Sequence, residues 1–194
     1  MNYPVGSTEV PPLYQPYDPD GITAFHAARL LLLIEVCGGE GRSPSVDGST
    51  KLAKLDFFLR YPAFLERAQQ ELRRRGDSAT SVSFEAGDEV EAPMIRYRFG
   101  PWDPRYRDYV SFLEARGLLK VTKGSHGARK LTLTAGGRKI AKGLLADASY
   151  GPLKARAEAM VGNLATWQGS ALKNFIYELL VDEVGNRAMG EQIR

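Results

Sequence analysis

The sequence predicts a mainly helical protein with one small β-hairpin, and three observations lead to this fold class. Hydrophobic residues make up 43% of the 194 residues and recur at helical spacing, so packed helices can form the core. Residues 118–122 are instead β-branched and apolar, and residues 129–134 alternate between apolar and polar side chains after a glycine-containing turn, as in a hairpin. Cys37 is the only cysteine, so no internal disulfide is possible and a reducing compartment, the cytoplasm, is expected.

Residues 1–21 contain five prolines and three tyrosines, a composition that predicts an extended arm rather than a packed element. The arm lacks the basic and apolar stretches of a signal peptide. The longest apolar run is interrupted by Glu35 and is far shorter than the ~20 residues that cross a bilayer, so no membrane partner is expected. We therefore expect an arm at 1–21, a domain at 22–147 with an inserted acidic loop at 77–93, and a C-terminal helical docking segment at 148–194.

The first half of the domain is predicted to be helical. An alanine- and leucine-rich helix over 22–36 ends near the glycines that follow Cys37, and residues 41–49 are predicted to be a loop. Leucines at helical spacing predict a second helix over 51–61. Because Pro62 disfavours helical backbone at the residue before it, a third helix is expected over 63–75.

The second half is predicted to mix short strands with helices. Residues 94–99 alternate as a half-buried strand does, and GPWDP after them is typical of a rigid turn. A helix over 103–116 is followed by Gly117 at its left-handed C-cap, and then by the hairpin. Thr134 is placed to cap a helix over 135–145. Two further helices are predicted at 152–164 and 168–184, and the last ten residues are expected to fray.

Positive charge is concentrated in the hairpin and the helix after it. Residues 115–146 hold eight basic residues and no acid, whereas the rest of the chain holds 18 basic and 23 acidic residues. A positive segment on a mildly negative body indicates a surface for a polyanion such as double-stranded DNA, although an ordinary solvated face has the same composition. We expect these cations to be displayed together, and the predicted DNA contacts are Lys120, Lys123, His126, Arg129, Lys130, Arg138 and Lys139.

The predicted order of helices, short strand, helix, basic hairpin and helix is the layout of a winged helix-turn-helix core with extra N- and C-terminal helices. FLEARGLLKV and LTLTAGGRKIAKGL resemble the recognition-helix end, the wing and the following helix of winged-helix regulators, with Gly137 and Arg138 matching their L-T-x-x-G-R motif. The recognition helix would be residues 103–116. Its arginines and acids nearly balance, and it has no Asn or Gln to read adenine, so we expect non-specific or shape-based DNA contact.

A second resemblance joins two separate segments. KLAKLDFFLRYPAFLERA (51–68) together with IRYRFGPWDPRY (95–106) resembles the small middle component of ABC-three-component defence systems, whose close relatives are the Lamassu-type antiphage complexes. The family pattern K-L-x-K-L-D-F-x-L-R-Y-P matches Lys51 to Pro62, and its R-Y-G-P-W-D turn matches Arg98 to Asp103, with Phe99 where tyrosine is common. The resemblance implies an accessory subunit beside an SMC-like ATPase and a separate effector, often a nuclease.

The polar residues of these two segments are the candidate partner contacts. The motif cations have no evident core role in an amphipathic helix and are expected to contact a partner or DNA. Trp102, braced by prolines, is either a packed turn residue or an interface hot spot. The predicted partner-binding residues are Lys51, Lys54, Arg60, Trp102 and Arg105.

The sequence carries no recognisable catalytic or metal-binding pattern. His26 lies in an apolar helix, where a buried structural histidine is expected, and His126 lies at the hairpin turn among cations. The glycines of CGGEGRS lack the Lys-Ser/Thr of a P-loop, and the acids of the 77–93 loop have no metal-ligand spacing. The sequence thus predicts a non-enzymatic protein without cofactor or metal.

Three functions remain open from the sequence. The favoured one is an accessory subunit of an SMC-like ATPase defence complex that bridges the ATPase and its effector nuclease. The alternative is a winged-helix transcriptional regulator that binds DNA as a homodimer, and the near-neutral recognition helix disfavours it. The third is an unrelated adaptor or toxin-associated protein.

Overall fold

The computed structural model describes residues 22–39, 41, 43–80, 93–124 and 127–193. The predicted N-terminal arm, most of the acidic loop and His126 lie outside these residues. About 60% of the described residues are helical, and the strands among them form small antiparallel sheets, which confirms the mainly helical class. None of the helices in the described ranges is long and apolar enough to cross a membrane.

Helices and short strands alternate along the chain, and the predicted helices are all present with boundaries shifted by a few residues. A π-helical segment, Val181–Gly185, follows the last α-helix. The elements are α1 (Thr23–Cys37), β1 (Ser45–Asp47), α2 (Ser49–Arg60), α3 (Pro62–Arg74), β2 (Ile95–Tyr97), β3 (Gly100–Trp102), α4 (Tyr106–Ala115), β4 (Leu119–Lys123), β5 (Arg129–Leu133), α5 (Ala135–Ala146), α6 (Gly151–Ala159) and α7 (Gly169–Leu179).

Helix α1 is the central helix of the fold. Every residue from Leu30 to Ile34 is buried, so the helix is apolar on all sides rather than along one stripe. Helices α4, α5 and α6 pack around it, and α2 also contacts it. This arrangement explains why the predicted first helix is so rich in leucine.

Strands β1, β5 and β4 form an antiparallel sheet in that order. Strand β1 pairs with β5, so that Val46 lies opposite Leu131, and both side chains are buried. The prediction of a loop over residues 41–49 is therefore wrong for β1. A strand of three residues is too short for a periodic signal, and its pairing partner lies far away in the sequence.

The predicted caps around the hairpin are confirmed. Gly117 has φ of +66°, and the Thr134 hydroxyl accepts a hydrogen bond from the Gly137 amide at 3.0 Å while it donates to the Gly117 carbonyl at 2.7 Å. A Cβ atom at Gly137 would overlap the carbonyl oxygen of Leu118. Glycine thus lets α5 approach β4 closely, which fixes the hairpin against the helical body.

The C-terminal residues pack against the body, so the prediction of a frayed end is wrong. Ile193 is fully buried, and its amide donates to the Met94 carbonyl at 2.7 Å. The Tyr61 hydroxyl accepts from the Met94 amide at 2.7 Å and donates to the Ile193 carbonyl at 3.0 Å. Gln192 also bridges to Ile95 of β2. The chain end is held by backbone pairing, which its polar composition does not reveal.

Candidate functional site

The basic hairpin, defined as β4 and β5, carries four of the predicted DNA contacts. Lys120, Lys123 and Arg129 are exposed, and Lys130 is half-buried. Within the described chain none of the four forms an ion pair. Their charges are therefore free to attract a polyanion.

The four cations do not share one face of the hairpin. Strand register places Lys120 and Lys130 on the face that points away from the core, where Asp47 lies directly opposite Lys130. Lys123 lies opposite Arg129 at the outer end of the other face, beyond the buried leucines. The expectation of a single displayed surface is corrected: the hairpin is cationic on both faces near its tip.

Arg138 is held by the body of the protein. Its Nε donates to Glu35 Oε1 at 3.0 Å, and one of its terminal nitrogens donates to the Gly41 carbonyl at 2.6 Å. The carboxylate of α1 therefore neutralises this predicted DNA contact. Lys139 on the same helix is exposed and remains a candidate phosphate contact.

A buried ionic cluster joins the two segments that carry the second resemblance. It consists of Arg29, Asp56, Arg60 and Asp103, whose side chains are almost completely shielded from solvent. Arg29 binds Asp56 through two nitrogens at 2.8 and 3.2 Å. Arg60 donates to Asp103 at 2.9 Å and lies 3.9 Å from Asp56. The carboxylates thus hold α1, α2 and the start of α4 together through paired charges.

Tyrosine and arginine side chains complete the cluster. The Tyr106 hydroxyl donates to Asp56 at 2.7 Å. The half-exposed Arg105 donates to both oxygens of Asp103, at 3.1 and 3.0 Å. Burial alone would raise the pKa of Asp103, but the hydrogen bonds from Arg105 and the charge of Arg60 outweigh it and lower the pKa to about 2. Asp103 therefore stays ionised as a structural anchor.

Lys54 makes the second link between the segments. Its ammonium donates to the Pro101 carbonyl at 2.8 Å. Pro101 lies in strand β3, which pairs with β2, so the prediction of a rigid turn at GPWDP is wrong for Gly100–Trp102. A Cβ atom at Gly100, where φ is +93°, would lie 3.1 Å from Lys54 Cε, so glycine is needed there. Burial, together with the nearby charge of Lys173, lowers the pKa of Lys54 to about 7.

Two of the predicted partner contacts are thereby corrected. Lys54 and Arg60 are each only 1% exposed and use their charged groups within the chain, so the idea that they have no core role is wrong. The guanidinium of Arg105 forms an ion pair with Asp103, and part of the Arg105 side chain remains exposed. Lys51 is half-buried and lines a separate cavity beside α1. The motif cations mostly bind the fold together rather than present charge.

Trp102 belongs to an exposed aromatic patch, defined as Tyr97, Phe99 and Trp102. Tyr97 and Phe99 are about half exposed, at 48% and 50%, which is high for large apolar side chains. Trp102 is half-buried and contacts Tyr106 edge to face at a ring-centroid distance of 4.9 Å. A shallow apolar cavity of about 230 Å³ lies under the three rings. Trp102 is therefore both a packed residue of strand β3 and part of an open surface.

His26 is the buried structural histidine that the sequence predicts. Its ring stacks on Tyr109 at 4.9 Å, and its Nδ1 lies 2.9 Å from an Arg29 nitrogen. Among the described residues, no three His, Cys, Asp or Glu side chains are grouped closely enough to hold a metal ion.

The sequence analysis missed the roles of Arg29, which belongs to the buried ionic cluster, and of Glu35, which pairs with Arg138. Both residues interrupt an otherwise apolar helix, and a charged residue in such a helix is a usable sign of a buried partner. Comparison of the chain with protein-family models, with curated proteins and with solved structures found no match in any of the three.

Proposed function

We propose that the chain is a non-enzymatic accessory subunit that binds duplex DNA without sequence preference and docks onto a larger complex. The basic hairpin is the DNA contact and the aromatic patch is the protein contact. The resemblance of residues 51–68 and 95–106 to the middle component of ABC-three-component systems makes an SMC-like ATPase and its effector nuclease the expected partners.

The order of elements supports a winged helix-turn-helix core. Helix α1, strand β1, helices α2 and α4, and strands β4 and β5 follow that order, and the sheet order β1-β5-β4 is the one such a core needs. In this assignment α3 and the β2–β3 hairpin are an insertion between the second and third helices. The insertion carries Tyr97, Phe99 and Trp102, so it supplies the aromatic patch.

The observation that carries the DNA proposal is the set of cations on the hairpin that have no ion pair in the described chain. Lys123 and Arg129 lie at the end of the hairpin that extends beyond β1, and Lys120 lies on the edge strand β4, so these cations follow one edge of the sheet rather than a broad helical face. Helix α4 exposes Arg107 together with Asp108 and Glu114, so it adds almost no net charge and no clear base contact.

The test is salt-dependent binding to a short labelled duplex of mixed sequence, followed by fluorescence polarisation. The triple variant Lys120→Glu, Lys123→Glu, Arg129→Glu should lose binding at moderate salt. The wild-type log–log salt slope should be steeper than that of the matching alanine variant by about 0.9 for each phosphate that these cations neutralise, or about 2.7 for three phosphates.

A matched control carries the same charge change elsewhere. Replacing Arg73, Arg74 and Lys154 on α3 and α6 with glutamate should weaken binding far less than the hairpin variant. Equal loss in both variants would mean that only net charge matters and would contradict a hairpin site. Tight binding to one palindrome by a dimer would instead favour the regulator.

The partner proposal is tested by co-purification with the SMC-like ATPase of the same cells. Phe99→Ser should reduce recovery of the ATPase while DNA binding is unchanged, because Phe99 is exposed and lies on the inserted β2–β3 hairpin rather than on the basic hairpin. Recovery that is insensitive to Phe99→Ser and to Tyr97→Ser would reject the aromatic patch as the docking surface.

A further inference from the structure

A cavity of about 490 Å³ lies beside the C-terminal end of α1, and neither the aromatic patch nor the hairpin strands line it. Its walls come from the end of α1, from β1, from the start of α2, from α5 and from the turn that follows α6. The volume is within the range of small-molecule sites. The residues that matter for the argument are Glu35, Cys37, Lys51, Arg138 and Val161.

Glu35 places an incompletely satisfied carboxylate on this wall. Its side chain is only 8% exposed. Oε1 accepts the hydrogen bond from Arg138, but Oε2 is buried and has no hydrogen-bond partner in the described chain. A buried acceptor without a donor costs free energy, and a bound donor group would recover it.

Lys51 brings an incompletely solvated ammonium to the same cavity. Burial lowers its pKa, and the opposing effect of nearby Asp47 is smaller. The ammonium makes no hydrogen bond or ion pair within the described chain. An anionic group in the cavity would restore the interaction that burial has removed.

The rest of the cavity fixes the Glu35 carboxylate and keeps the neighbouring thiol protonated. Arg138 is anchored on Glu35 and on the Gly41 carbonyl, so the carboxylate cannot turn away. Burial raises the pKa of the Cys37 thiol to about 12, and the thiol points to the Ala157 carbonyl at 3.6 Å, so it remains protonated. With Glu35, Lys51 and Arg138 the cavity has one net positive charge.

We propose that this cavity binds a small molecule carrying both a primary amine and a carboxylate, that is, a free amino acid, most tightly an acidic one. The amine donates to Glu35 Oε2, and a carboxylate accepts from Lys51. An acidic amino acid has one net negative charge and so balances the cavity. The site is independent of the DNA and partner contacts.

The test is isothermal titration of the full chain with L-glutamate, L-glutamine and L-arginine, and with acetate, methylamine and adenosine monophosphate as comparison probes. We expect L-glutamate to bind more tightly than L-glutamine, L-arginine to bind weakest of the three, and acetate and methylamine each to bind at least about tenfold more weakly than L-glutamate. Acetate equal to L-glutamate, or adenosine monophosphate tighter than every amino acid, would overturn the assignment, as would an absence of binding.

Three variants locate the site. Glu35→Gln and Lys51→Met should each weaken L-glutamate binding by about tenfold or more, because each loses one charge-assisted hydrogen bond. Val161→Trp should abolish binding by filling the cavity, and Val161 is half exposed, so the fold tolerates the change. Unchanged affinity in Val161→Trp would overturn the proposal even if Glu35→Gln fails to fold. DNA retention measured in parallel should not change.

Discussion

The buried ionic cluster and the basic hairpin use the same residue types in opposite environments. In the cluster, Arg29 and Arg60 are shielded from water and each meets a carboxylate. On the hairpin, Lys123 and Arg129 are exposed and meet none within the described chain. The difference shows that a lysine or arginine in a recurring motif is not evidence of a binding surface, because its role depends on burial and on a distant partner.

The two regions also differ in what they contribute to stability. A buried charge pair repays its desolvation only while both partners are present, so removal of one partner is costly. An exposed cation is surrounded by water, whose high dielectric constant weakens its interactions, so it contributes little to the free energy of unfolding. Substitutions in the cluster should therefore change stability, and substitutions in the hairpin should change DNA binding. Neither set should have much effect on the other property.

The largest expected effect comes from breaking the cluster at Asp56. Asp56→Ala leaves Arg29 buried without its carboxylate and removes the acceptor of Tyr106, so the free energy of unfolding should fall by about 3–5 kcal/mol. Urea unfolding followed by circular dichroism measures it. Glu158→Ala, which removes an exposed partner of Lys154, is the matched control and should change stability by less than about 0.5 kcal/mol. A loss as small as the control's would contradict the cluster's structural role.

The next effect is a pH dependence that arises from Lys54. Its pKa is about 7 in the folded chain and 10.5 in the unfolded one, so between these values the unfolded chain binds more protons and stability rises with pH. The rise should reach at most about 1.4 kcal/mol per pH unit. The rise in stability is best measured between pH 7 and about 8.5. At higher pH the Cys37 thiol ionises more readily in the unfolded chain than in the folded one, where its pKa is raised, and this lowers stability.

The control for this pH dependence is Lys54→Met, which keeps an unbranched side chain, one atom shorter, and removes the titrating group. Free energies of unfolding at pH 6, 7, 8 and 8.5 should give a steeper rise for the wild type than for the variant. Parallel curves would mean that the ammonium is well solvated in the folded chain, and Lys54 would then belong with the exposed cations.

The sequence predicts the secondary structure of both regions but not the roles of their charged residues. The periodic leucines of α2 and the caps at Gly117 and Thr134 are local signals, and each is confirmed. The burial of Lys54 and Arg60 depends on acceptors 47 and 43 residues away in the chain, and no local pattern encodes such a contact. Strand β1 and the packed C-terminus were missed for the same reason, because both are held by long-range backbone pairing.

Arg138 is less buried than the cluster arginines and more buried than the hairpin cations. Its substitution should therefore lower the free energy of unfolding by an intermediate amount. Its side chain is 30% exposed, whereas its partner Glu35 is almost buried. Arg138→Ala should lower the free energy of unfolding by about 1 kcal/mol, since solvent screens the arginine side of the pair. Chemical denaturation tests this value, and Lys139→Ala on the next residue of α5 is the control. A loss of stability as large as that of Asp56→Ala would mean that Arg138 stabilises the fold as strongly as the buried ionic cluster does.

The smallest effect on stability is expected from the hairpin itself. Lys123→Ala and Arg129→Ala should each change the free energy of unfolding by less than about 0.5 kcal/mol, because both side chains are exposed at the hairpin end. Their removal relieves repulsion between two like charges that face each other across the strands, so a slight gain is expected. The double variant should melt no lower than the wild type in a thermal scan and still bind DNA less tightly. A clear loss of stability would mean that these cations have partners in the folded chain, and the separation of folding from binding would then fail.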